Sequence, residues 1–445
     1  MSAQSPQSTA FHTDQYELTM LDAALRDGTA ARRCVFELFA RRLSAGRRFG
    51  VVAGTGRLLS LIRDFRFGDD ELRFLRDNRI VDAATIDYLA GYRFTGSIAG
   101  YREGELYFPG SPILTVEGTF AEAVILETLA LSVLNHDSAV ATAAARMSIA
   151  AGDRPLAEMG SRRAGERSAV AAARAAYIAG FGATSNLEAG RSWGIPTMGT
   201  AAHSWTLLHD TEEDAFRAQI AALGVGTTLL IDTYDITQGV ETAVRVAGRE
   251  LGGVRIDSGD LPLVAAAVRA QLDQLGATST RITVTSDLDE FAIAALAAAP
   301  VDAYGVGTSV VTGSGTPTAG MVYKLVARQD AAGSWVGVAK ASLDKASKGG
   351  RKAAFRTLDA GTATSELIRV SDGFEQIDTA AEHPDARELR ATLVDGGDID
   401  STFEGPAGVA AARAHHVRVR EELPVQGLAL SRSDPAIPTV FVDVD

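Results

Sequence analysis

Short apolar runs alternate with longer amphipathic stretches through the middle of the chain. The short runs predict strands, and the stretches between them, several of which begin with acidic or hydroxyl residues, predict helices. Eight candidate strands lie in residues 154–160, 176–185, 195–204, 227–235, 253–260, 281–287, 301–309 and 320–326. The clearest candidate helices lie in residues 166–176, 212–223, 237–251, 261–275 and 290–299. This alternation is typical of a parallel sheet whose strands are joined by helices.

Eight strand–helix units favour an α/β fold with a closed (β/α)8-type barrel over an open sheet. Several of the runs are short, so we expect an irregular barrel, and we assign it to residues 146–334 as the catalytic domain. An open, doubly wound sheet is the alternative. Residues 103–118 predict two strands in a hairpin around Pro109-Gly110, and residues 121–147 predict a long helix leading into the barrel. Segments after residue 335 add strands.

Composition and charge limit the classes of molecule that this protein can bind and the compartments that suit it. The 445 residues carry 43 Lys and Arg against 56 Asp and Glu, a net charge of −13, which excludes a general basic surface for nucleic acid. The single cysteine, Cys34, excludes an internal disulfide framework and fits a reducing compartment. Residues 1–10 lack the features of a signal peptide and are expected to be disordered, and no apolar run reaches the ~18 residues of a membrane span. We expect a cytoplasmic protein.

Polar side chains follow nearly every candidate strand. In a barrel, the C-terminal strand ends and the loops after them carry the active site. Loops are polar everywhere, but solvation alone does not readily explain so many charged groups converging on one rim. The residues concerned are Ser161, Arg162, Arg163, Thr184, Ser185, Asn186, Thr200, His203, Ser204, Asp232, Asp235, Arg255, Asp257, Ser258, Asp260, Ser286, Asp287, Gly305, Gly307, Thr308, Ser309 and Lys324.

The types of residue on this rim suit a small, multiply anionic sugar phosphate. The segment 305–309, GVGTS, offers small residues and backbone amides that can cradle a phosphate, and barrels commonly bind phosphate after strands seven and eight. Arginine suits bidentate contacts to phosphate or carboxylate, so Arg162 and Arg255 are candidate ligands, together with Lys324.

Two aspartates and a histidine are the other rim residues that could take part in binding or catalysis. Asp257 and Asp260 could hold ribose hydroxyls or a hydrated Mg²⁺, although Asp260 could instead cap a helix that begins at Leu261. His203 could act as a base or as a nucleophile toward phosphate, although a single histidine is often a hydrogen-bonded packing residue.

Several long motifs in order resemble the nicotinate phosphoribosyltransferases, a type II phosphoribosyltransferase family of NAD salvage. The resemblance runs from residue 13 to about residue 355. The motifs are TDQYELTM (13–20), FELFARRL (36–43), GSRRA (160–164), ATSNLEAGRSWGIPTMGTAAHSW (183–205), VRIDSGDL (254–261), YGVGTSVVTG (304–313) and GMVYKLV (320–326). The basic segment 342–352 has the composition of a phosphate-contacting loop, but its register is uncertain.

The resemblance implies an enzyme that joins nicotinate to phosphoribosyl pyrophosphate, releasing pyrophosphate and giving nicotinate mononucleotide. It implies ATP hydrolysis through a phosphohistidine at His203, and Mg²⁺ as a cofactor. Arg255 corresponds to the arginine near the pyridine carboxylate, and Arg162 to a group at the pyrophosphate-bearing face. Gly305, Gly307 and Thr308 correspond to the 5′-phosphate loop.

The same resemblance implies a homodimer with shared active sites. Asp14 and Tyr16 correspond to an N-terminal segment that reaches the neighbouring subunit's site, where the tyrosine stacks on the pyridine. The family fold implies a second α/β domain made of residues 11–145 and 335–445. Asn186, where related nicotinamide enzymes have an aspartate, favours nicotinate, although it could simply be a turn residue. A phosphoribosyltransferase for nicotinamide or quinolinate, and a non-catalytic nucleotide-binding relative, are the alternatives.

Overall fold

The computed structural model describes residues 8–340, 348–371 and 386–444. The chain forms two compact units, one of residues 1–142 with 318–445 and the other of residues 143–317. Of the expected disordered start, residues 1–7 lie outside the described residues, and Ala10 is fully buried. Most of the basic segment 342–352 likewise lies outside them, up to residue 347.

The N-terminal part of the first unit mixes helices with short strands. The helices are α1 (Gln15–Asp27), α2 (Thr55–Arg63), α3 (Asp69–Asp77), α4 (Ala83–Ala90), α5 (Phe120–Val124) and α6 (Glu127–Ala151). The strands are β1 (Arg33–Ala40), β2 (Gly50–Val51), β3 (Ser97–Tyr101), β4 (Leu106–Tyr107) and β5 (Leu114–Thr119). The stretch Phe120–Ala151 is long and apolar enough to cross a membrane, but 67% of its most apolar window is buried, as in a core helix.

The second unit alternates strands and helices. Its strands are β6 (Leu156–Glu158), β7 (Ala183–Thr184), β8 (Thr228–Leu230), β9 (Gly253–Ile256), β10 (Arg281–Val284) and β11 (Ala303–Val306). Its helices are α7 (Glu166–Ile178), α8 (Leu187–Trp193), α9 (His203–Leu208), α10 (Glu212–Leu223), α11 (Ile236–Ala247), α12 (Leu261–Gln274), α13 (Glu290–Ala295) and α14 (Thr308–Val311).

The strands of the second unit form a parallel sheet in the order β7-β6-β11-β10-β9-β8. The first strand in the chain, β6, therefore pairs with the last, β11. Beyond β7, Thr197 forms a single parallel bridge with Thr184. The first strand thus meets the last and the other neighbours follow chain order, as in a barrel, but β7 and β8 are not paired in the described residues, so the sheet is barrel-like and not closed by hydrogen bonds there.

Side-chain caps start the helices that follow these strands. The caps of α8, α10, α11, α12 and α13 each accept a hydrogen bond from a backbone N–H in the first turn, which satisfies amides that have no partner within the helix. They are Asn186, Thr211, Asp235, Asp260 and Asp289.

The C-terminal part returns to the first unit. It contains β12 (Met321–Gln329), β13 (Trp335–Gly337), β14 (Arg351–Asp359), β15 (Thr362–Ser371), β16 (Ala386–Glu388), β17 (Arg390–Asp395), β18 (Asp398–Ile399), α15 (Gly405–Glu421) and β19 (Thr439–Asp443). A seven-stranded sheet has the order β13-β12-β1-β5-β3-β17-β18, and smaller sheets have the orders β16-β14-β15-β19 and β2-β4. The N- and C-terminal parts therefore share one sheet, so the expected fold class, a barrel-like α/β unit with a second α/β unit, is confirmed.

Four predictions about strands need correction. In the predicted strand 176–185, the first three residues belong to α7 and only Ala183–Thr184 form a strand, β7. Residues 320–326 do not form an eighth barrel strand, because β12 pairs antiparallel with β1 in the first unit. Residues 195–204 contribute only the Thr197 bridge before α9 begins. The predicted hairpin at 103–118 is also wrong, since β4 pairs with β2 while β5 pairs with β1 and β3.

Candidate active site

A cavity of about 550 Å³ opens among the loops that follow β6, β7, β9, β10 and β11. Three arginines and two aspartates supply charge to its wall, and hydroxyl groups and glycines make up much of the rest. The lining residues are Met159, Ser161, Arg162, Arg163, Ser185, Met198, Gly199, Thr200, Ala201, Ala202, Arg255, Asp257, Thr285, Ser286, Asp287, Gly305, Gly307 and Thr308. Eight of them were predicted from the sequence to bind or act on a ligand: Arg162, Arg163, Thr200, Arg255, Asp257, Gly305, Gly307 and Thr308.

Arg255 lies on β9 with most of its side chain removed from water. Its Nη1 donates to Thr200 Oγ1, and its buried Nε has no hydrogen-bond partner among the described residues. Burial lowers the pKa of Arg255, while nearby Asp257 and Asp232 oppose that shift. Arg255 lines the cavity, and a guanidinium there whose hydrogen bonds within the described residues go to a hydroxyl and not to a carboxylate is suited to an anionic ligand.

The loops after β8 and β9 are joined by Asp232. Its side chain is 1% exposed, and its Oδ2 accepts hydrogen bonds from the Asp257 amide at 2.7 Å and from Ser258 Oγ at 2.7 Å. Thr285 Oγ1 donates to Asp257 Oδ1. These contacts fix the backbone and the carboxylate of Asp257 at the cavity wall.

His203 begins α9 and lies beside these carboxylates. Its Nδ1 is 3.1 Å from Thr233 Oγ1, and its Nε2 is 3.8 Å from Asp257 Oδ2 and 4.0 Å from Asp232 Oδ1. The side chain is 39% exposed, so it is not a buried packing histidine. If Nδ1–H donates to Thr233, the lone pair of Nε2 is left on the side of the carboxylates.

The glycine loop after β11 is closely packed against the loop after β6. A Cβ added at Gly305 would meet Met159 Sδ and Thr285 Cγ2 at 2.7 Å. The Met159 amide donates to Val306 O at 2.7 Å. Glycine therefore lets the two loops approach, and the first turn of α14 leaves backbone amides without helical partners.

Asn186 lies next to the cavity and also caps α8. Its Oδ1 accepts from the Ala189 amide at 2.9 Å, and its Nδ2 donates to Ser161 Oγ at 2.9 Å. The amide side chain therefore closes a turn, as the alternative expected, and it also holds a hydroxyl of the cavity wall; its role in the preference for nicotinate stays a prediction.

His203 and Asn186 lie beside the cavity without lining it, and two further predicted residues, Asp260 and Ser204, do not line it either. Asp260 caps α12, where its Oδ1 accepts from the Leu263 amide at 3.3 Å, as the alternative reading expected. The side chain is thus used in the helix, and Asp260 is not a lining residue. Ser204 is exposed in the first turn of α9 and does not line the cavity either.

Three more predicted residues, Asp14, Tyr16 and Lys324, belong to the first unit. Tyr16 is 46% exposed, and burial of the rest, reinforced by the charge of Glu127, raises the pKa of Tyr16 to about 12. Lys324 Nζ lies 3.7 Å from Glu127 Oε1. Asp14 occupies the N-cap position of α1 without a side-chain cap. Tyr16 and Lys324 therefore come together around Glu127, which sequence reasoning did not connect with them.

Other strand-end residues, to which the sequence assigned no individual role, also lie at the cavity. Ser161, Ser185, Ser286 and Asp287 line it, and Ser286 has φ 103°, a left-handed conformation that is uncommon for a non-glycine residue and occurs often at functional sites. Each follows a candidate strand, so the position was visible. Only the tertiary structure shows that these residues, unlike other residues of the same loops, line the cavity.

The fold and the cavity together define a class: a barrel-like α/β protein with a cavity lined by arginines and glycines at the C-terminal strand ends. Comparison with known proteins narrows it. Residues 11–135 match the family described as the nicotinate phosphoribosyltransferase N-terminal domain.

Relatives extend the match over nearly the whole chain. "Nicotinate phosphoribosyltransferase pncB1" of Mycobacterium tuberculosis is 57% identical over 436 residues, covering 96% of this chain and 94% of the relative. The Bacillus subtilis nicotinate phosphoribosyltransferase is 38% identical and covers 81% and 75% of the two chains. The crystal structure of human nicotinic acid phosphoribosyltransferase superposes with a TM-score of 0.81 at 28% identity, covering 97% of each chain.

This chain belongs to the nicotinate phosphoribosyltransferase family, a family of NAD salvage enzymes. The resemblance carried by the motifs is therefore confirmed, and the chain is an enzyme.

Proposed function

We propose that this enzyme forms nicotinate mononucleotide and pyrophosphate from nicotinate and phosphoribosyl pyrophosphate. The pyridine nitrogen of nicotinate would attack C1 of the ribose, and the C1–O bond to pyrophosphate would break, with the electron pair leaving on the pyrophosphate oxygen. The single observation that carries the proposal is the cavity in which Arg162, Arg255 and the glycine loop 305–308 converge.

Each part of the substrates has a matching group in that cavity. The buried Arg255, with its unpartnered Nε, suits the carboxylate of nicotinate. Arg162, at the exposed rim, suits the pyrophosphate, and the amides after Gly307 suit the 5′-phosphate. Holding the anionic leaving group and the nucleophile in line is the main catalytic task in such a displacement.

We infer that ATP is a co-substrate that phosphorylates His203. The γ-phosphorus–oxygen bond would break as a bond from the histidine ring nitrogen forms, and ADP would leave. Nε2 is the better candidate, since Thr233 can hold the proton on Nδ1. Water would later cleave the phosphohistidine to phosphate.

Mg²⁺ fits the residues present. It commonly takes one or two carboxylates together with substrate phosphates, and Asp257 and Asp287 both line the cavity. Asp257 is held in place by Thr285, whereas Asp260 is used as a helix cap. The ion, when bound, would neutralise charge on the phosphates, and Asp257 and Asp287 would hold it.

A product assay tests the reaction. Purified enzyme, phosphoribosyl pyrophosphate and Mg²⁺ are incubated with nicotinate or nicotinamide, each with and without ATP. We expect nicotinate mononucleotide from nicotinate and faster formation with ATP. Product from nicotinamide alone would contradict the choice of base, and no product from either would contradict the reaction.

The His203→Ala variant tests the ATP step. We expect it to lose ATP stimulation and incorporation of ³²P from γ-labelled ATP. His209→Asn is the matched control, because His209 Nδ1 contacts only the backbone oxygen of Trp205 at 2.8 Å and an asparagine amide can replace it. Equal labelling of the His203→Ala and wild-type proteins would contradict the assignment.

We also propose a cytoplasmic homodimer in which Asp14 and Tyr16 serve the partner's site. Large apolar side chains are exposed on the second unit beside the loops that form the cavity, which is typical of a protein interface. They are Leu187, Leu207, Leu208, Tyr234 and Leu263. Sedimentation should give twice the chain mass of 46.7 kDa, and Leu208→Glu should lower it.

Subunit mixing tests the shared site directly. Tyr16→Ala and His203→Ala should each lack nearly all of the ATP-stimulated activity when expressed alone. After co-expression, hybrid dimers would have one intact site, so about a quarter of the ATP-stimulated activity of the wild type should return if pairing is random. No recovery in verified hybrid dimers would contradict sharing.

A further inference from the structure

Glu158, at the end of β6, is a fully buried carboxylate that does not line the cavity. Both of its oxygens are used. Oε1 accepts from the Gly160 amide, in the loop that carries Arg162, and Oε2 accepts from Thr184 Oγ1 at 2.6 Å, at the end of β7. One carboxylate thus bonds to two neighbouring loops.

The hydrogen bonds continue from Glu158 into a closed ring. Thr184 Oγ1 accepts from the Asn186 amide at 3.0 Å, and Asn186 Nδ2 donates to Ser161 Oγ at 2.9 Å. Ser161 follows Gly160 in the chain, so the ring returns to the first loop. Two of the loops that shape the cavity are therefore fixed to each other through Glu158, Thr184 and Asn186.

The backbone around Glu158 fixes the third loop as well. Ser185 N donates to Glu158 O at 2.8 Å, and β11 pairs with β6 so that Val306 lies opposite Glu158. A Cβ on Gly160 would meet Val311 Cγ1 at 2.2 Å and Gly307 O at 3.0 Å. With so little free space, a change in the Gly160 turn would move the phosphate loop or Arg162.

We propose that Glu158 is a positioning residue that sets the spacing between the Arg162 loop and the Thr184–Asn186 loop, and so tunes the affinity of the cavity for pyrophosphate and for the base. This inference rests on the proposed function of the cavity. Glu158 touches neither substrate. Its carboxylate acts by accepting from both loops at once, and a misplacement of about 1 Å at such a site can cost on the order of a hundredfold in rate.

The test uses two variants that break the ring at different points. Glu158→Gln replaces one acceptor oxygen by an NH₂ group, so one of the two loops loses its acceptor. Thr184→Val removes the hydroxyl that links Glu158 to Asn186, and Thr184→Ser keeps it. Glu290→Gln is the matched control, because Glu290 is also a buried carboxylate of the same unit, bonded to Arg146 and Ser314 away from the cavity wall.

The probe is inorganic pyrophosphate with Mg²⁺, titrated calorimetrically into the intact protein. We expect Glu158→Gln and Thr184→Val to bind it about tenfold or more weakly. We expect Thr184→Ser and Glu290→Gln to bind it as the wild type does. In the product assay, Glu158→Gln and Thr184→Val should raise KM for the substrates more than they lower kcat. The same two variants should also show a smaller ratio of activity with nicotinate to activity with nicotinamide.

Wild-type affinity in folded Glu158→Gln and Thr184→Val would overturn the inference, and so would an equal loss in Glu290→Gln. If Glu158→Gln does not fold, the Thr184 pair decides the matter alone. A wild-type protein that binds pyrophosphate but forms no product would overturn the proposed function and leave the inference to be judged on binding.

Discussion

Arg255 and Arg387 show two uses of a partly buried arginine in one chain. Arg387, in the first unit, donates from Nη1 to Glu105 at 2.7 Å and from Nε and Nη2 to Glu422 at 3.0 and 2.8 Å. Arg255, in the second unit, donates to the hydroxyl of Thr200 and leaves Nε without a partner among the described residues.

The pKa values of Arg387 and Arg255 shift in opposite directions because Arg387 has carboxylate partners and Arg255 has a hydroxyl partner. Burial alone would lower both, but hydrogen bonds and charge from Glu105 and Glu422 raise the pKa of Arg387, while that of Arg255 is lowered. The charge of Arg387 is neutralised within the protein and stabilises the fold. Arg255 has no hydrogen bond to a carboxylate among the described residues, which suits the ligand-binding role proposed for it.

The largest effect should come from Arg387→Met. It leaves the buried Glu105 with a hydrogen bond to His415 and with the more distant Arg356 as a cationic neighbour. Removing one partner of a buried ion pair costs about 3–5 kcal/mol, and we expect a loss of that size in the free energy of unfolding by urea. Arg73→Met, in an exposed pair with Asp70, is the control and should change it by less than about 1 kcal/mol. Similar losses of unfolding free energy in Arg387→Met and Arg73→Met would contradict the distinction between the buried and the exposed ion pair.

His416 should make the stability of the same region depend on pH. Burial, with Arg420 and His415 nearby, lowers the pKa of His416 from 6.5 to about 4, while its Nδ1 bonds to Gly104 O at 2.9 Å. Because the folded form binds its proton less readily, the stabilisation is complete above pH 6.5 and is lost as the pH falls toward 4. The loss is on the order of 3 kcal/mol.

His416→Asn keeps a donor for Gly104 and removes the titration. Urea unfolding of this variant between pH 7 and 4 should therefore fall less steeply than that of the wild type. Parallel pH profiles for the two proteins would contradict the assignment of this loss to His416.

Arg255→Met should lower catalytic activity and leave stability nearly unchanged, whereas Arg387→Met should mainly lower stability. It removes a cation that lacks a carboxylate hydrogen bond in the protein, so the free energy of unfolding should change little or rise. A hydrogen bond to a charged ligand is worth about 1.5–3 kcal/mol, so kcat/KM for nicotinate should fall about 10- to 100-fold. A stability loss as large as that of Arg387→Met, with unchanged kcat/KM, would show that Arg255 is structural.

Much of the second unit could be predicted from the sequence because its signals are local. The helix predicted at 212–223 matches α10, and those at 261–275 and 166–176 match α12 and α7 to within two residues. Amphipathic period and cap residues depend only on neighbours in the chain. The rim residues were visible because each follows an apolar run.

The wrong predictions concern strands whose place in the fold depends on which other strand they pair with. Residues 320–326 have the composition of any apolar strand, and only pairing with β1 places them in the antiparallel sheet. Lys324 was consequently assigned to the barrel rim, whereas it lies beside Glu127 in the first unit. Its role as a phosphate ligand stays a prediction that the structure of this unit alone does not test.

What the sequence by itself determined is the order of strands and helices, the residue types at the strand ends and, through long motifs, the family. The tertiary structure alone decided which of those side chains remain free for a ligand. Asp257 and Asp260 stand three residues apart in one motif, yet one lines the cavity and the other caps a helix. Sequence fixes donors and acceptors, but only the fold decides which of them find partners within the protein.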